Sequence, residues 1–594
     1  MNHIAFSGYG ASPAGFTGGS SFLRRRTHGL ETDVSPVLRL CGVGLLVLGW
    51  FSAVGADYYV DPVSGSMTNA GTAAQPWSTL EAVMSSGKTF QAGDVLNLRS
   101  GHHGDVTLRG EHADYVTVRP QPGHLPTLKR VVLRSARHWR LQGVTISPET
   151  APVFERIELI TLQSSASQNI VEGCFLHSVT NISAWTLDDW NTRSCNGMGV
   201  SGPLNLIRSN QVLNVYFGIT VSGASNVVER NRIENFGADS LRGLGDFCVF
   251  QFNTVMNSHD VSANHDDGFQ SWSVGPDGVG TGVVRGVVLR GNTIIQFSDP
   301  AQPFRGGMQG IGCFDGFFED WVVENNVVMV DHWHGITFSG ARNCRIVNNT
   351  VVDLDPAGSG PPWIRIGPHK NGEPSTGNVI RNNLATDYNS SAGVGVVDHN
   401  QEISSYATYF VDYAAGDLRL VPTAPAIDAG SADGAPATDR AGVPRPLDGN
   451  ADGVALPDLG AHEFVHPTAD TDADAMSDAW EIQHTLNALF VDAGEDPDHD
   501  AADNLHEYWA DTDPRDRSAV LALTLTLDRV TGEDVLEWRS SAARFYTLER
   551  SADLRAWEDV AGNVRLPGTG RPMSARLATP AVGQYYRLRV FLTP

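Results

Sequence analysis

Short runs of alternating apolar and polar residues, each ending at an asparagine, recur along residues 204–384. Asn210, Asn231 and Asn253 close three of these runs at intervals of 21 and 22 residues. Alternation with period two predicts a β-strand with one apolar face, and a repeat of about 20–50 residues predicts a solenoid of stacked, similar turns. In other turns the run reads Val-Val-Leu-Arg-Gly-Asn, Val-Val-Glu-Asn-Asn, Arg-Ile-Val-Asn-Asn and Val-Ile-Arg-Asn-Asn.

An asparagine at the corner of each turn favours one kind of solenoid. Asparagine tolerates left-handed backbone, and its side-chain amide can hydrogen-bond to the asparagine of the next turn. The apolar residues of all turns would then point into one continuous core. We therefore predict an all-β protein built on a right-handed parallel β-helix.

A second motif lies in the same turns and consists of a glycine or tryptophan followed by an apolar residue. Period two points that apolar residue inward and the next residue outward. Stacking places successive outward residues roughly 4.8 Å apart in one column. The predicted inward residues are Ile219, Phe269, Ile311, Ile336 and Ile364. The predicted outward column consists of Thr220, Gln270, Gly312, Thr337 and Arg365. A second column, two positions before the inward residues, consists of Phe217, Asp267, Gln309, His334 and Pro362.

The longest insertions fall beside this strand. The connection from Phe269 to Asn292 is about twice as long as the connection from Ile219 to Asn231. Long loops that wall one face of a rigid scaffold are typical of a binding groove. We therefore expect the functional site on this face.

The predicted groove is rich in groups that bind and transform sugars. Asp266 or Asp267 could act as an acid or a base, with a pKa set by a nearby charge. Arg365 and Lys370 could bind a uronate carboxylate, the arginine through its two-pronged donors. The other candidates are His334 for catalysis and His265, Gln270, Trp272, Gln309, Asp315, Trp333 and His369 for substrate binding, the two tryptophans as platforms for sugar rings.

The order of these residues resembles the polygalacturonase family of the pectin-lyase-like superfamily. That family carries Asn-Thr-Asp-Gly, Asp-Asp, Gly-His-Gly and Arg-Ile-Lys on successive turns. Here the corresponding stretches are Asn-His-Asp-Asp-Gly, Met-Gln, Trp-His-Gly and Arg-Ile-Gly, a match over about four turns. The resemblance implies that Asp267, His334 and Arg365 are the counterparts of that family's first aspartate, its histidine and its arginine.

Two departures from that family bear on the reaction. The family's paired aspartates, which include the general acid, are replaced here by Met308 and Gln309. The family's lysine is replaced by Gly367, and Lys370 follows three residues later. Hydrolysis of a glycosidic bond by two carboxylates would then require Asp266 or Asp315 as the substitute acid.

The lost acid favours a polysaccharide lyase that acts on a uronic-acid polymer. β-Elimination requires a neutralised carboxylate, a base for the proton at C5 and an acid for the leaving oxygen. Arg365 or Lys370 could neutralise the carboxylate, and His334 or Lys370 could be the base. A polygalacturonase-like hydrolase of the same fold and a non-catalytic glycan-binding or cell-surface protein are the alternatives.

The net charge and the N-terminal segment limit the binding partners and the cellular location of the protein. The 594 residues include 42 Lys+Arg and 67 Asp+Glu, a net charge of −25, which argues against nucleic acid as a partner. Residues 1–56 are typical of an export signal, because arginines precede an apolar run at 40–54. We therefore expect a secreted or cell-surface monomer whose partner is an acidic polysaccharide. An odd number of cysteines follows the signal and leaves at least one thiol unpaired.

The chain divides by pattern into an export signal at 1–56, the β-helix with its N-terminal cap and C-terminal closing segment at 57–464, an acidic spacer at 465–517 and a C-terminal domain at 518–594. The last of these alternates like a small β-sandwich and resembles C-terminal domains of secreted bacterial proteins. The resemblance implies an attachment, sorting or carbohydrate-binding role, with attachment to the cell surface through this domain.

The spacer contains two loops with carboxylates at the ligand positions of a calcium site, so calcium is the predicted structural cofactor. The pair resembles the calcium spacers of thrombospondin type 3 and dockerin-like modules. Ala475 and Ala501 stand where glycine usually makes the sharp turn, which is expected to weaken binding. The predicted ligands are Asp470, Asp472, Asp474, Asp478 and Glu481 in the first loop and Asp496, Asp498, Asp500, Asn504 and Glu507 in the second.

Overall fold

The computed structural model describes residues 55–577 and 583–592. It comprises two compact units that divide between Asp492 and Ala493, within the predicted spacer. The export signal predicted at 1–56 lies, except for its last two residues, outside the described residues. None of the helices in the described ranges has the length and apolar character needed to cross a membrane.

The first unit is a right-handed parallel β-helix, as predicted, in which successive turns pair in parallel along three faces. The face with the second sequence motif contains six strands that carry the candidate site. They are β1 (Ile219–Val221), β2 (Leu241–Gly243), β3 (Asp266–Trp272), β4 (Met308–Asp315), β5 (His334–Ser339) and β6 (Trp363–Gly367), with Asp387–Tyr388 following β6.

The other two faces flank this one. The second face carries the strands of the first sequence motif, each of which comes just before a ladder asparagine. They are Leu206–Arg208, Val227–Glu229, Val249–Gln251, Val288–Arg290, Val322–Glu324, Arg345–Val347, Asn378–Arg381 and Gly395–Asp398. The third face is a ladder of Gly101–His102, Pro126–Leu128, Thr145–Ile146, Phe175–His177, Gln211–Val215, Arg232–Phe236, Thr254–Ser258, Thr293–Ile295, Val327–Val330, Thr350–Asp353, Leu384–Ala385 and Gln401–Glu402.

The N-terminal turns include two long strands, Asp105–Pro120 and Arg130–Gln142, and a short helix covers their open end. The helix Leu80–Ser85 is capped by the Thr79 side chain and buries Leu80 and Val83, which protects apolar interior that an uncapped solenoid would expose. The strands of these turns are Asp57–Val60, Val95–Leu98, Asp105–Pro120, Arg130–Gln142, Glu158–Leu162, Ile170–Glu172 and Asn196–Val200. Further short elements of the unit are the strands Val274–Gly275, Gly278–Val279, Val283–Arg285, Phe317–Glu319 and Ala341–Arg342 and the helices Leu187–Arg193, Tyr406–Tyr409, Tyr413–Ala415 and Asp478–Gln483.

The closing segment packs along the outside of the third face. The hairpin Phe410–Asp412 and Asp417–Leu420 and the chain beyond it bury apolar residues against Val327, Met329 and Leu384. Arg445 forms an ion pair with Glu463 at 2.6 Å, and both side chains are 1% exposed. Apolar residues of the closing segment therefore pack on the solenoid.

The second unit contains the helix Asn504–Ala510 and two small antiparallel sheets. One sheet pairs Leu523–Leu527, Asp534–Trp538 and Met573–Leu577, and the other pairs Phe545–Ser551 with Glu558–Asp559, Leu566–Pro567 and Tyr585–Phe591. Trp538, Tyr546, Leu548 and Leu588 are buried in its core. The strands predicted for this region are thus present.

All five cysteines in the described ranges are buried free thiols, so no disulfide supports the solenoid there. They are Cys174, Cys195, Cys248, Cys313 and Cys344. Burial raises the pKa of the Cys174 and Cys344 thiols to about 12, which keeps them protonated and unreactive.

An asparagine ladder joins the turns at the corner before the third face. Asn326 accepts from Asn292 through its Oδ1, and its Nδ2 donates to Asn349 Oδ1 at 2.9 Å and to the Leu289 carbonyl at 2.9 Å. The left-handed residue is not the ladder asparagine but the one before it, as at Asn325 with φ +57° and Phe252 with φ +55°. The same side-chain bonds run through Asn210, Asn231, Asn253, Asn292, Asn326, Asn349, Asn383 and Asn400.

Replacing Asn326 by alanine should destabilise the first unit by roughly 3 kcal/mol or more, because the change leaves several buried backbone and side-chain groups without partners. Urea unfolding measures the loss. Asn389→Ala is the matched control, since Asn389 is exposed, and it should change the free energy of unfolding by less than about 0.5 kcal/mol. Equal effects of the two substitutions would contradict a stabilising role for the ladder.

Candidate functional site

The strand register creates one outward column across the six strands. Cα pairing runs from Thr220 to Arg242 and Gln270, and from there to Gly312, Thr337 and Arg365. The predicted column is therefore present, with β2 as an additional member. Sequence reasoning missed Arg242 because Ser240 occupies the position that glycine or tryptophan takes in the other five strands.

A break in alternation turns Asp267 towards the outer face. A Cβ added to Gly268 would lie 2.3 Å from Ile294 Cγ2 in the core, and the next residue, Phe269, is also inward and 2% exposed. Because two successive residues face inward, the residue before them faces outward. Asp267 Oδ1 accordingly lies 2.5 Å from the position that a Cβ on Gly312 would take.

Asp267 is nevertheless covered by its neighbours, so that it faces outward and yet is 0% exposed. Gln270 Nε2 donates to Asp267 Oδ2 at 2.7 Å, whereas Asp267 Oδ1 has no hydrogen-bond partner. Phe314 and Gln309 share the space over Gly312 with this carboxylate. Burial, together with the charge of Asp239, raises the pKa of Asp267 well above its ordinary value.

Asp266 does not lie on the outer face, contrary to its proposed role as an acid there. It pairs with the buried Met308 and accepts a hydrogen bond of 2.6 Å from Ser258 Oγ at the corner where the third face ends. Burial, opposed by that hydrogen bond and reinforced by the charges of Asp260 and Asp239, raises the pKa of Asp266 to about 8. Alternation explains the placement, because Asp266 and Asp267 must point to opposite sides.

An ion pair that the sequence did not reveal lies beside Asp267. Arg242 Nε donates to Asp239 Oδ2 at 2.6 Å, and Asn264 Nδ2 donates to Asp239 Oδ1 at 3.0 Å. The guanidinium carbon of Arg242 lies 3.5 Å from the ring centre of Phe217. Arg242 is thus a cation of the same column that is held by a buried carboxylate.

His334 stands in an aromatic cluster at the other end of the column. Its ring centre lies 4.8 Å from that of Phe314, 5.5 Å from that of Trp363 and 5.2 Å from that of His332. Its Nδ1 lies 3.0 Å from Thr337 Oγ1. Burial, and then the charges of His332, Arg365 and His265, lower the pKa of His334 to about 4, so this imidazole is neutral at physiological pH.

Trp363, and not the predicted Pro362, occupies the place next to His334. The register pairs His334 with Trp363 and then shifts by one residue before Ile336 and Ile364, because β5 has an extra inward residue, Gly335, that β6 lacks. The Arg365 guanidinium lies 5.5 Å from the Trp363 ring centre. Trp333 lies against Trp363 in a stacked arrangement at 6.4 Å and is 42% exposed.

The wall beyond β3 and β4 contains the remaining predicted residues. Trp272, Gln270 and Asp315 line a cavity of about 220 Å³, and Lys370 Nζ lies 2.6 Å from Asp315 Oδ1. His369 is buried, stacks on a phenylalanine ring at 4.2 Å and places Nε2 2.9 Å from the Gly280 carbonyl oxygen. His369 therefore supports the loop and does not face the groove, whereas His265 is exposed near the imidazoles of His332 and His334.

The acidic loop of the first unit could hold a metal ion. Asp470, Asp472 and Asp474 bring carboxylate oxygens within 4.8 Å of one another, as do Asp474, Glu481 and Asp492. Both Glu481 carboxylate oxygens are buried without hydrogen-bond partners, a costly arrangement that a bound cation would relieve. Burial and neighbouring aspartates raise the pKa of Glu481 to about 8. The sequence missed Asp492, which lies outside the twelve-residue pattern.

The loop of the second unit has the same geometry. Asp496, Asp498 and Asp500 have carboxylate oxygens within 4.8 Å of one another. Ala501 has φ +80° and donates from its backbone to Asp496 Oδ2 at 3.0 Å, as Ala475, with φ +76°, donates to Asp470 Oδ2 at 2.8 Å. Both alanines adopt the left-handed conformation that glycine usually supplies at this position.

Comparison with known proteins finds similarity in structure only. No family model matches the chain. No curated protein matches it by sequence. Solved structures similar to the chain include pectate lyase Pel9A, at 15% identity and TM-score 0.41 over 69% of this chain and 97% of that one. A lacto-N-biosidase from Eubacterium ramulus has 11% identity and TM-score 0.34 over 59% and 68% of the two chains.

A mannuronic acid specific polysaccharide family 6 lyase from human gut microbiota has 14% identity and TM-score 0.34 over 57% of this chain and 87% of that one. The strand pairing described above, and not these likenesses, establishes the architecture. It is that of a parallel β-helix, the fold that the sequence predicted.

The raised pKa of Asp266 predicts a specific loss of stability in alkali. Because the folded pKa of about 8 exceeds the ordinary 3.8, the folded state holds this proton more tightly than the unfolded state. Its contribution to stability is complete below about pH 4 and is lost as the pH rises through about 8. Asp266→Asn should therefore unfold several degrees higher than the parent at pH 9, with little difference at pH 5, in thermal scans. If the difference in unfolding temperature between Asp266→Asn and the parent were the same at pH 5 and at pH 9, the result would contradict burial of this carboxyl group.

Proposed function

We propose that the outer face of β1–β6 binds an acidic polysaccharide and that the protein is a lyase that cleaves a uronic-acid polymer by β-elimination. The observation that supports this most is the grouping of Arg365, Trp363 and a neutral His334 at one end of the column. A cation, flat aromatic surfaces and a neutral imidazole are the groups that a uronate sugar would require.

Recognition of a uronate rests on the cation and the tryptophans. Arg365 is half-buried, and a guanidinium can bind both oxygens of a carboxylate with two parallel hydrogen bonds. Trp333 and Trp363 lie nearly parallel, with 25° between their planes, and the exposed ring of Trp333 offers a platform for a sugar. The overall charge of −25 makes this local cation necessary for an anionic polymer.

Elimination fits the carboxylates better than hydrolysis does. A glycosidase requires two carboxyl groups that flank the scissile bond. Asp267 is covered, Asp266 faces an interior corner and Asp315 is bound to Lys370. In β-elimination a base takes the C5 proton, the C4–O bond breaks, a C4–C5 double bond forms and the leaving oxygen acquires a proton. Arg365 would neutralise the carboxylate beside C5, and His334 and Lys370 are the candidates for the proton transfers.

A substrate panel tests this proposal. Polyuronates and neutral glycans are incubated with the protein, unsaturated product is followed by its ultraviolet absorbance, and a reducing-end assay reports hydrolysis. We expect unsaturated product from a polyuronate only. Reducing ends without ultraviolet absorbance would favour a hydrolase, and binding without any product would favour a glycan-binding protein.

Removing the cation of the groove should abolish most of that activity. Arg365→Gln should lower kcat/KM by about 100-fold or more, because the carboxylate then lacks its charged, two-pronged partner. The matched control is Arg230→Gln, since Arg230 is exposed and packs on Phe252, outside the column. A fall of less than about threefold in Arg365→Gln would contradict the assignment of the uronate site.

We also propose that the two acidic loops bind calcium as a structural ion outside the cell, where the predicted export signal would place the protein. The ligand set of each loop, its buried carboxylate oxygens and the left-handed sixth position support this. When bound, calcium would supply the positive charge that these carboxylates lack. The first loop would use Asp470, Asp472, Asp474 and Glu481, and Asp492 would join them.

Glycine in place of Ala501 should tighten calcium binding by roughly tenfold, because the bound loop requires a left-handed residue that costs alanine about 1–2 kcal/mol. Titration calorimetry measures the affinity. Ala502→Gly is the control, since Ala502 is not left-handed in this structure, and it should not tighten binding. No calcium binding by either the parent or Ala501→Gly would refute the calcium proposal for this loop.

A further inference from the structure

Three side chains form a hydrogen-bonded relay at the groove. Trp363 Nε1 lies 3.0 Å from Thr337 Oγ1, and the same Oγ1 lies 3.0 Å from His334 Nδ1. Thr337 is 2% exposed, so water does not reach its hydroxyl freely. The three residues come from the neighbouring strands β5 and β6, whose register fixes their positions.

The chemistry of the groups gives this relay a direction. An indole N–H can only donate, so Thr337 Oγ1 accepts from Trp363. The hydroxyl then has its own proton to donate, and His334 Nδ1 is its one acceptor among the described residues. The opposite arrangement, with a proton on Nδ1, would leave the buried hydroxyl proton without an acceptor, which is unfavourable.

We infer that Trp363 and Thr337 hold His334 as the neutral imidazole whose proton is on Nε2, so that this residue meets a substrate as a hydrogen-bond donor and not as a base. The low pKa of His334, caused first by burial, agrees with a neutral ring. The identity of the substrate, a sugar carboxylate, rests on the proposed function. The state of the imidazole does not.

The surroundings of the ring favour an anionic ligand. Phe314, Trp363 and His332 pack around it, and the Arg365 cation lies on the next strand. Within the described residues no carboxylate forms a hydrogen bond or ion pair with His334 that would stabilise a protonated ring. An Nε2–H donor of β5 and a guanidinium of β6 can together bind the two oxygens of a carboxylate. The candidate base is then Lys370, once its ion pair with Asp315 opens.

The tautomer can be measured directly without substrate. Protein labelled with ¹⁵N in histidine is studied by NMR, and the His334→Gln spectrum identifies the His334 signals by difference. We expect a protonated, pyrrole-like Nε2 and a pyridine-like Nδ1 at neutral pH. A pyrrole-like Nδ1 would overturn the inference, whatever the activity of the protein.

Two variants test the part played by the relay. Thr337→Val removes the hydroxyl with little change of volume, and it should give a mixture of tautomers and raise KM for a polyuronate roughly tenfold, the loss of one hydrogen bond to a charged group. Thr337→Ser restores the hydroxyl and should restore both the parent tautomer of His334 and the parent KM. An unchanged tautomer in Thr337→Val would refute the relay. If the parent has the expected tautomer but forms no unsaturated product from any polyuronate, the proposed function fails and the relay stands.

Discussion

Hydrogen-bond register between stacked turns is the constraint on which the site depends. Each turn of the solenoid is held to the next by parallel strand pairs and by the asparagine ladder at one corner. Because a slip of one residue would exchange inward and outward side chains along a whole strand, the apolar core fixes the register. That register in turn places Arg242, Gln270, Gly312, Thr337 and Arg365 in one column although they are far apart in the sequence.

Glycines at the start of the strands decide which polar residues reach the outer face. At Gly268, Gly310 and Gly335 an added Cβ would come within 2.3, 2.4 and 2.5 Å of a core side chain. Each glycine thus lets two successive residues face inward, so that the residue before it faces outward. This explains why Asp267, Gln309 and His334, which strict alternation would direct inward, belong to the groove.

Much of this could be predicted from the sequence, because periodicity is a property of many residues at once. The β-helix, the inward apolar residues and the outward column were all predicted from this periodicity. The predictions that were wrong or incomplete concern single residues. Asp266 was expected on the outer face but accepts from Ser258 at an interior corner, and Trp363 takes the place expected for Pro362 because β6 has no extra residue. Arg242 was missed because β2 has Ser240 at the position of the motif's glycine or tryptophan. Asp492 was missed because it lies beyond the twelve residues of the calcium-loop pattern.

Burial sets the electrostatic character of the groove. It raises the pKa of Asp267 and favours a neutral His334, so a polyanion would meet the cations Arg242 and Arg365 of the column and the ion pair of Lys370 with Asp315. The most direct test of the account is a crystal structure with a bound oligouronate. It should show a carboxylate of the sugar chain on Arg365 and His334 Nε2, with a ring on Trp333. An oligouronate bound on another face of the solenoid, with the column empty, would contradict the central claim.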